Sequence, residues 1–148
     1  MSSSSFSALL RLFRAQAFLQ ARLEPELGSV HGLGLNESML LLQLSRAPLK
    51  RLRRVDLAGR LNVSQSTVTR MADPLEKAGL VRREADPRDA RVAYVALTEA
   101  GEIRVAEAET TLRRMAVDTF QDRWSEGEIQ ALADLLGRLT AALAGDVA

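Results

Sequence analysis

Apolar residues recur along this chain at two different periods, and the changes of period divide it into elements. Near the start, Phe6, Leu9, Leu10, Phe13, Ala17, Leu23 and Leu27 follow one another at helical spacing, which predicts a long first helix capped by the N-terminal serines. Arg11, Arg14 and Arg22 share its other faces. Pro25 is expected to kink this helix or split off its last turn, and Gly28, Gly32 and Gly34 then mark a connection. A second helix is expected to open at Asn36 and to run through Met39, Leu40, Leu41, Leu42 and Leu44, stopping before Pro48. Apolar almost all round, it reads as the central core helix.

From Leu52 the pattern tightens. No Ser, Thr or Asp cap directly precedes Val55, so a short helix ending near Leu61 is expected to begin as early as Leu52. After the turn Asn62-Val63, Ser64 can cap a further helix in which Val68, Met71, Ala72 and Leu75 form one narrow apolar stripe. Ser66, Thr69, Arg70 and Asp73 must then face away from the core, with Gln65 and Thr67 flanking that arc. Pro74 removes one bond to the Arg70 carbonyl, and Gly79 stands where a left-handed helix end is wanted. Leu80–Glu84 and Arg91–Leu97 read as strands around a charged turn. In the second, Arg91, Ala93, Val95 and Leu97 alternate with Val92, Tyr94 and Ala96. Two short helices, a strand, a charged turn and a strand make up a winged helix-turn-helix, over about residues 36–97 with the core helix included.

Longer helices return after it. Thr98 can cap one running through Ile103, Leu112, Met115 and Phe120. Ser125-Glu-Gly-Glu128 fits a capping box that starts the last helix, and Trp124 can staple onto Ile129. Ile129, Leu132, Leu136, Leu139 and Leu143 continue as an unbroken stripe. The terminal helices, about 5–30 and 98–145, carry more apolar surface than the small central unit can cover. A two-fold homodimer built from them is the economical solution.

Composition narrows the function. With 148 residues, 47% of them hydrophobic, the chain can make one domain with a real core or one lobe of a larger shared one, and a single domain is the default expectation. Its net charge of +1 is uninformative until it is mapped: residues 50–91 hold eleven Lys or Arg against six acids, a net of +5, and the remainder carries −4. A basic middle between acidic ends is the footprint of a reader of double-stranded DNA. Cysteine is absent, which excludes disulfides, thiolate metal sites and thiol nucleophiles. The start lacks the order of a signal peptide and no stretch approaches a membrane span, so cytoplasmic residence is expected. A single histidine and no phosphate-cradling glycine loop leave little material for catalysis or for a His-rich metal cluster, and neither a metal nor a cofactor is expected. His31 reads as a helix-end or surface group in preference to a pocket residue.

An exposed arc of small hydroxyls, an amide and one arginine suits a helix laid in a major groove, which makes Gln65, Ser66, Thr67, Thr69 and Arg70 the candidate readers. Arg51, Arg53 and Arg54, beside Lys50, are candidate phosphate contacts, although a basic cluster of this kind serves equally as a solvated surface. A solvated helix face is by itself the commoner reading of such an arc; the basic hairpin that follows argues against it here.

Three stretches carry a resemblance to a known family: Leu75-Glu-Lys-Ala-Gly79-Leu-Val, Thr98-Glu-Ala-Gly101, and above all Asp86-Pro-Arg88-Asp89-Ala-Arg91. The last matches every specified position of the Asp-x-Arg-Asp-x-Arg wing signature, and the whole resembles the MarR family of bacterial transcription regulators. The resemblance spans nearly the whole chain and implies a mainly α (α+β) fold with long dimerisation helices at both ends. It also implies a repressor of a palindromic operator, released by a small aromatic or phenolic effector. In the wing it puts Asp86, Arg88 and Arg91 on DNA, with Arg88 reaching into a minor groove and Asp86 holding its guanidinium. The rival expectation is a ligand- or partner-binding module that keeps the fold without sequence-specific DNA contact. An enzyme would need an acid, a base and a nucleophile that the sequence does not bring together.

Overall fold

A computed structural model describes residues 3–144, and for 142–144 the backbone alone. Helix α1 (Ser3–Glu26) passes through Pro25 without ending and continues into a π-helical turn, Leu27–His31. Pro25 therefore splits off a last turn of different winding, and Gly28 belongs to that turn while Gly32 and Gly34 form the connection. Helix α2 (Leu35–Arg46) starts one residue before the expected Asn36, since Gly34 takes the cap position and Glu37 accepts from the Gly34 N–H at 3.0 Å. Leu40, Leu41 and Leu44 of α2 are fully buried, the centre of a core that gathers Leu27, Leu57, Val68, Leu75, Val81, Val105 and Ala108 around them.

The expected helix start at Leu52 is corrected. Residues Arg51–Arg53 form a strand, β1, which pairs Arg51 with Ala96, Leu52 with Val95 and Arg53 with Tyr94, and helix α3 (Arg54–Leu61) begins after it. Pairing with β3 holds these three residues extended, and Leu52 turns into the core. Helix α4 (Gln65–Lys77) follows a turn in which Asn62 adopts a left-handed conformation. Strands β2 (Val81–Ala85) and β3 (Ala93–Leu97) form the wing, in a three-stranded antiparallel sheet of order β1-β3-β2. The second wing strand is thus shorter than expected, because Arg91 and Val92 belong to the turn, where the Val92 N–H donates to the Asp89 carbonyl at 3.0 Å. Its alternating residues do not separate by burial: Val95, Ala96 and Leu97 are all buried, and Ala93 and Tyr94 are half-buried.

Helix α5 (Glu99–Phe120) rises from the wing, with Thr98 accepting from the Gly101 N–H at 3.0 Å and donating to the Gly79 carbonyl at 2.6 Å. The predicted capping box of helix α6 (Glu126–Ala144) is present, each of Ser125 and Glu128 accepting from the other's N–H. Trp124 meets Phe120 edge-on, ring centroids 5.6 Å apart. His31 ends the π turn as a helix-end residue, but it is buried rather than on the surface: its Nε2 lies 2.7 Å from Thr111 Oγ1 of α5, while Arg104 donates to the His31 carbonyl at 2.9 Å. Helix α1 buries none of its described side chains, and Leu135, Leu136 and Leu139 of α6 are exposed. Ser2 and the side chain of Leu143, expected to cap α1 and to extend the α6 stripe, lie outside the described residues.

Candidate nucleic-acid interface

Helix α4 presents its first turn outward because its stripe of Val68, Ala72 and Leu75 is pinned to the core. Ser64 caps it, its Oγ accepting from the Thr67 N–H at 3.1 Å. The same Oγ lies 3.0 Å from Ser66 Oγ and 2.9 Å from Thr67 Oγ1, and the Arg70 guanidinium donates to Thr67 Oγ1 at 3.2 Å. Thr69 donates to the Gln65 carbonyl at 3.1 Å. Gln65, Ser66 and Arg70 are exposed, Thr67 and Thr69 half-buried, so all five expected reader residues share one surface. Asp73 faces outward beside them, as expected.

The wing signature folds differently in detail from the expected division of labour. Asp86 accepts from the backbone N–H of Arg88 at 2.7 Å and from the Tyr94 hydroxyl at 3.4 Å; it holds the turn, not the Arg88 guanidinium. The carboxylate that grips a guanidinium is Asp89, which accepts from Arg91 Nε at 3.1 Å, Arg91 Nη2 at 3.3 Å and the Arg91 N–H at 3.0 Å. These Arg91 bonds, the side-chain ones first and then the backbone one, hold the Asp89 carboxyl below the usual range, with the Arg53 charge adding to them. The reason is a local competition for the carboxylate. Two residues after Asp86 the turn brings a backbone N–H within reach, an Asx-type contact that competes with any side-chain donor. Arg88 is left exposed at the tip.

The basic cluster divides by environment. Arg51 spans the sheet face: its guanidinium carbon lies 4.4 Å from the centre of the Tyr94 ring, and Nη1 donates to Glu84 at 3.2 Å. Glu84 also accepts from Arg82 Nε at 2.7 Å, and its carboxyl is held below the ordinary value first by Arg82 and then by Arg51. Arg53 is exposed, and a hydrogen bond to Tyr94 raises its already high pKa. Arg54 turns toward α4, where Nε donates to Gln65 Oε1 and Nη1 to Thr69 Oγ1, each at 3.4 Å. Arg53, Arg54, Gln65, Arg91 and Val92 line a cleft of about 220 Å³ between the start of α3 and the wing.

Sequence reasoning missed the residue that joins wing to helix. Arg83 of β2 donates to the Thr69 carbonyl at 3.0 Å and to the Asp73 carboxylate, and its own N–H donates to Glu76 at 3.0 Å. The only sequence signal for it is an outward position on β2 opposite two acids on the outer face of α4, a pairing that cannot be assigned before the hairpin is docked.

Comparison with known proteins bears on this geometry. Residues 33–93 match the model of the MarR family. The HTH-type transcriptional repressor MdtR of Bacillus subtilis is 30% identical over 132 residues, covering 88% of this chain and 84% of that protein. Two uncharacterized HTH-type regulators of the same organism match over 84 residues, so the chain spans about half their length, 54% and 51%. Among solved structures, Sco3205 of Streptomyces coelicolor, a MarR family transcriptional regulator in complex with DNA, superposes with a TM-score of 0.86 at 23% identity over 97% of this chain and 89% of that one. NadR in complex with 4-hydroxyphenylacetate gives a TM-score of 0.75 at 24% identity over 88% and 90%.

Proposed function

Because this chain belongs to the MarR family of transcription regulators, we propose that it is a cytoplasmic homodimeric repressor that binds a palindromic operator and is released by a small aromatic or phenolic effector. One observation carries the reading: the exposed first turn of α4 and the wing hairpin are tied into one surface by Arg83, so that a major-groove reader and a minor-groove probe keep a set separation. In it Gln65, Ser66, Thr67, Thr69 and Arg70 face base edges and phosphates. Arg88 enters a narrow minor groove, where negative potential concentrates. Arg91 and Arg53 flank it on the phosphate backbone, and Arg51 adds its charge from the sheet face.

MdtR, with 84% of its length matched, is a repressor by name, which supports that sign of regulation. For the effector we favour a cleft of about 140 Å³ between α1 and α5, where Leu19, Leu23 and Met115 give apolar walls and Arg22 is the cation for a carboxylate, Arg114 being already paired with Glu26 and Asp118. NadR, which shares the fold, was crystallised with 4-hydroxyphenylacetate, a probe of that chemistry.

The test is selection of duplexes from a random pool at moderate salt, followed by affinity measurements on the enriched site. An inverted repeat is expected. Arg88→Ala should weaken binding by roughly 1–3 kcal/mol with an unchanged melting temperature, whereas Arg70→Ala should also relax base preference. Failure to enrich any duplex would overturn the reading in favour of a partner-binding module.

A further inference from the structure

Arg54 stands outside the reading helix yet touches two of its residues. Its guanidinium donates through Nε to the side-chain oxygen of Gln65 and through Nη1 to the hydroxyl of Thr69. Gln65 is the first residue of α4, where a reading helix meets base edges, and Thr69 lies one turn further along the same face. We propose that Arg54 is a specificity-determining positioning residue, which clamps Gln65 and Thr69 so that the first turn of α4 offers hydrogen-bond donors and thereby selects a guanine edge at the base step under Gln65. The inference rests on the DNA-reading function proposed above.

The argument follows the hydrogen-bond inventory of each group. A glutamine reads adenine by accepting from N6 with its oxygen while donating to N7 with its amide nitrogen. Here the oxygen already accepts from Arg54, and a guanidinium, which carries only donors, sits beside its remaining lone pair. An adenine N6 amine brought there meets a positive charge and competing N–H groups. The two amide N–H groups of Gln65 stay free to point outward, and the edge that matches them is the one with two acceptors, guanine N7 and O6. Thr69 is committed in the same way. Its proton goes to the Gln65 carbonyl at 3.1 Å and its oxygen accepts from Arg54, so it has no donor left and offers a methyl group. Arg70, its guanidinium held by Thr67, adds further donors on the neighbouring turn.

Arginine is required for this role because one planar fork reaches both partners, whereas a lysine supplies the same charge from a single freely rotating point. That difference separates a clamp from a phosphate contact. The experiment is duplex selection and competitive binding with the full-length wild type, Gln65→Ala, Arg54→Lys, Arg54→Ala and the double variant Gln65→Ala/Arg54→Lys, with melting temperatures recorded for each. Gln65→Ala identifies the base step that it reads. Wild type is expected to prefer guanine over adenine there by about tenfold or more. Arg54→Lys should lose that preference at the same step while keeping the rest of the operator, the salt slope and the melting temperature, and the double variant should add no further loss of preference. If Arg54→Lys leaves the preference intact, or if Arg54→Ala weakens all sequences equally and lowers the salt slope by about one contact, Arg54 is a phosphate contact and the proposal falls. A wild type that enriches no site at all overturns the DNA-reading function itself, a distinguishable result.

Discussion

Gly101 shows how a single position can tie the reading head to the helices outside it. A Cβ built there would lie 2.1 Å from the Leu80 carbonyl oxygen and 2.7 Å from Leu97 Cδ1. The carbonyl cannot swing aside, because the Thr98 N–H donates to it at 3.1 Å. The first turn of α5 is therefore seated directly on the chain that leaves α4, and only a residue without a side chain allows that approach. Gly101→Ala gains helix propensity, worth roughly 1 kcal/mol, but forces backbone apart in a packed junction, which costs about 1–3 kcal/mol. The expected outcome in urea unfolding is net destabilisation, with weaker operator binding as the head tilts. A variant as stable as wild type would show that the junction relaxes freely. The glycine was visible in the sequence as part of Thr98-Glu-Ala-Gly101, but its reason was not: the backbone it must avoid belongs to a residue twenty-one positions earlier.

Elements were legible where their signals are local. Ser64, Thr98 and the Ser125–Glu128 box each act across three residues, so a cap read in the sequence is the cap found in the structure. Strand β1 was not legible, because its three residues are extended only through pairing with β3, more than forty positions later. The side chains on that sheet were hidden for the same reason. Arg51 of β1 crosses the Tyr94 ring of β3 to reach Glu84 of β2, a strap over all three strands. It makes a pH-dependent contribution whose sign is set by Glu84. Arg82 and Arg51 lower the carboxyl's pKa in the folded state, so the contribution is present above the ordinary glutamate value of about 4.3 and is lost as pH falls through the lowered folded value. Glu84→Gln should accordingly reduce the melting temperature at neutral pH, and the gap from wild type should close as pH drops below the usual carboxylate range. A gap that stays constant with pH would mean that the strap works through shape alone.

At the scale of the whole molecule, the buried core serves the head and the lower part of α5, while the terminal helices remain uncovered. Helix α1 has 24 residues and buries none of its described side chains, leaving Phe6, Phe13 and Phe18 each about three-fifths exposed. Helix α6 does the same with Leu135, Leu136 and Leu139. Apolar faces of this length, at both ends of one chain, are expected to be closed by a second copy about a two-fold axis, which would also space two heads for an inverted repeat. The sequence pattern shows the uncovered faces, but a single chain does not hold the atoms that cover them. Replacing Leu136 and Leu139 together by Asp separates the alternatives by magnitude. On a free monomer surface, where these side chains are 40% and 50% exposed, charges cost within about 0.5 kcal/mol and improve solubility. In a dimer seam the same charges lose their water and cost several kcal/mol. Sedimentation should therefore find wild type as a dimer and the double variant as a folded monomer whose operator affinity collapses, because one head alone makes half the contacts. A wild type that sediments as a monomer and binds a single half-site with full affinity would overturn the two-headed reading.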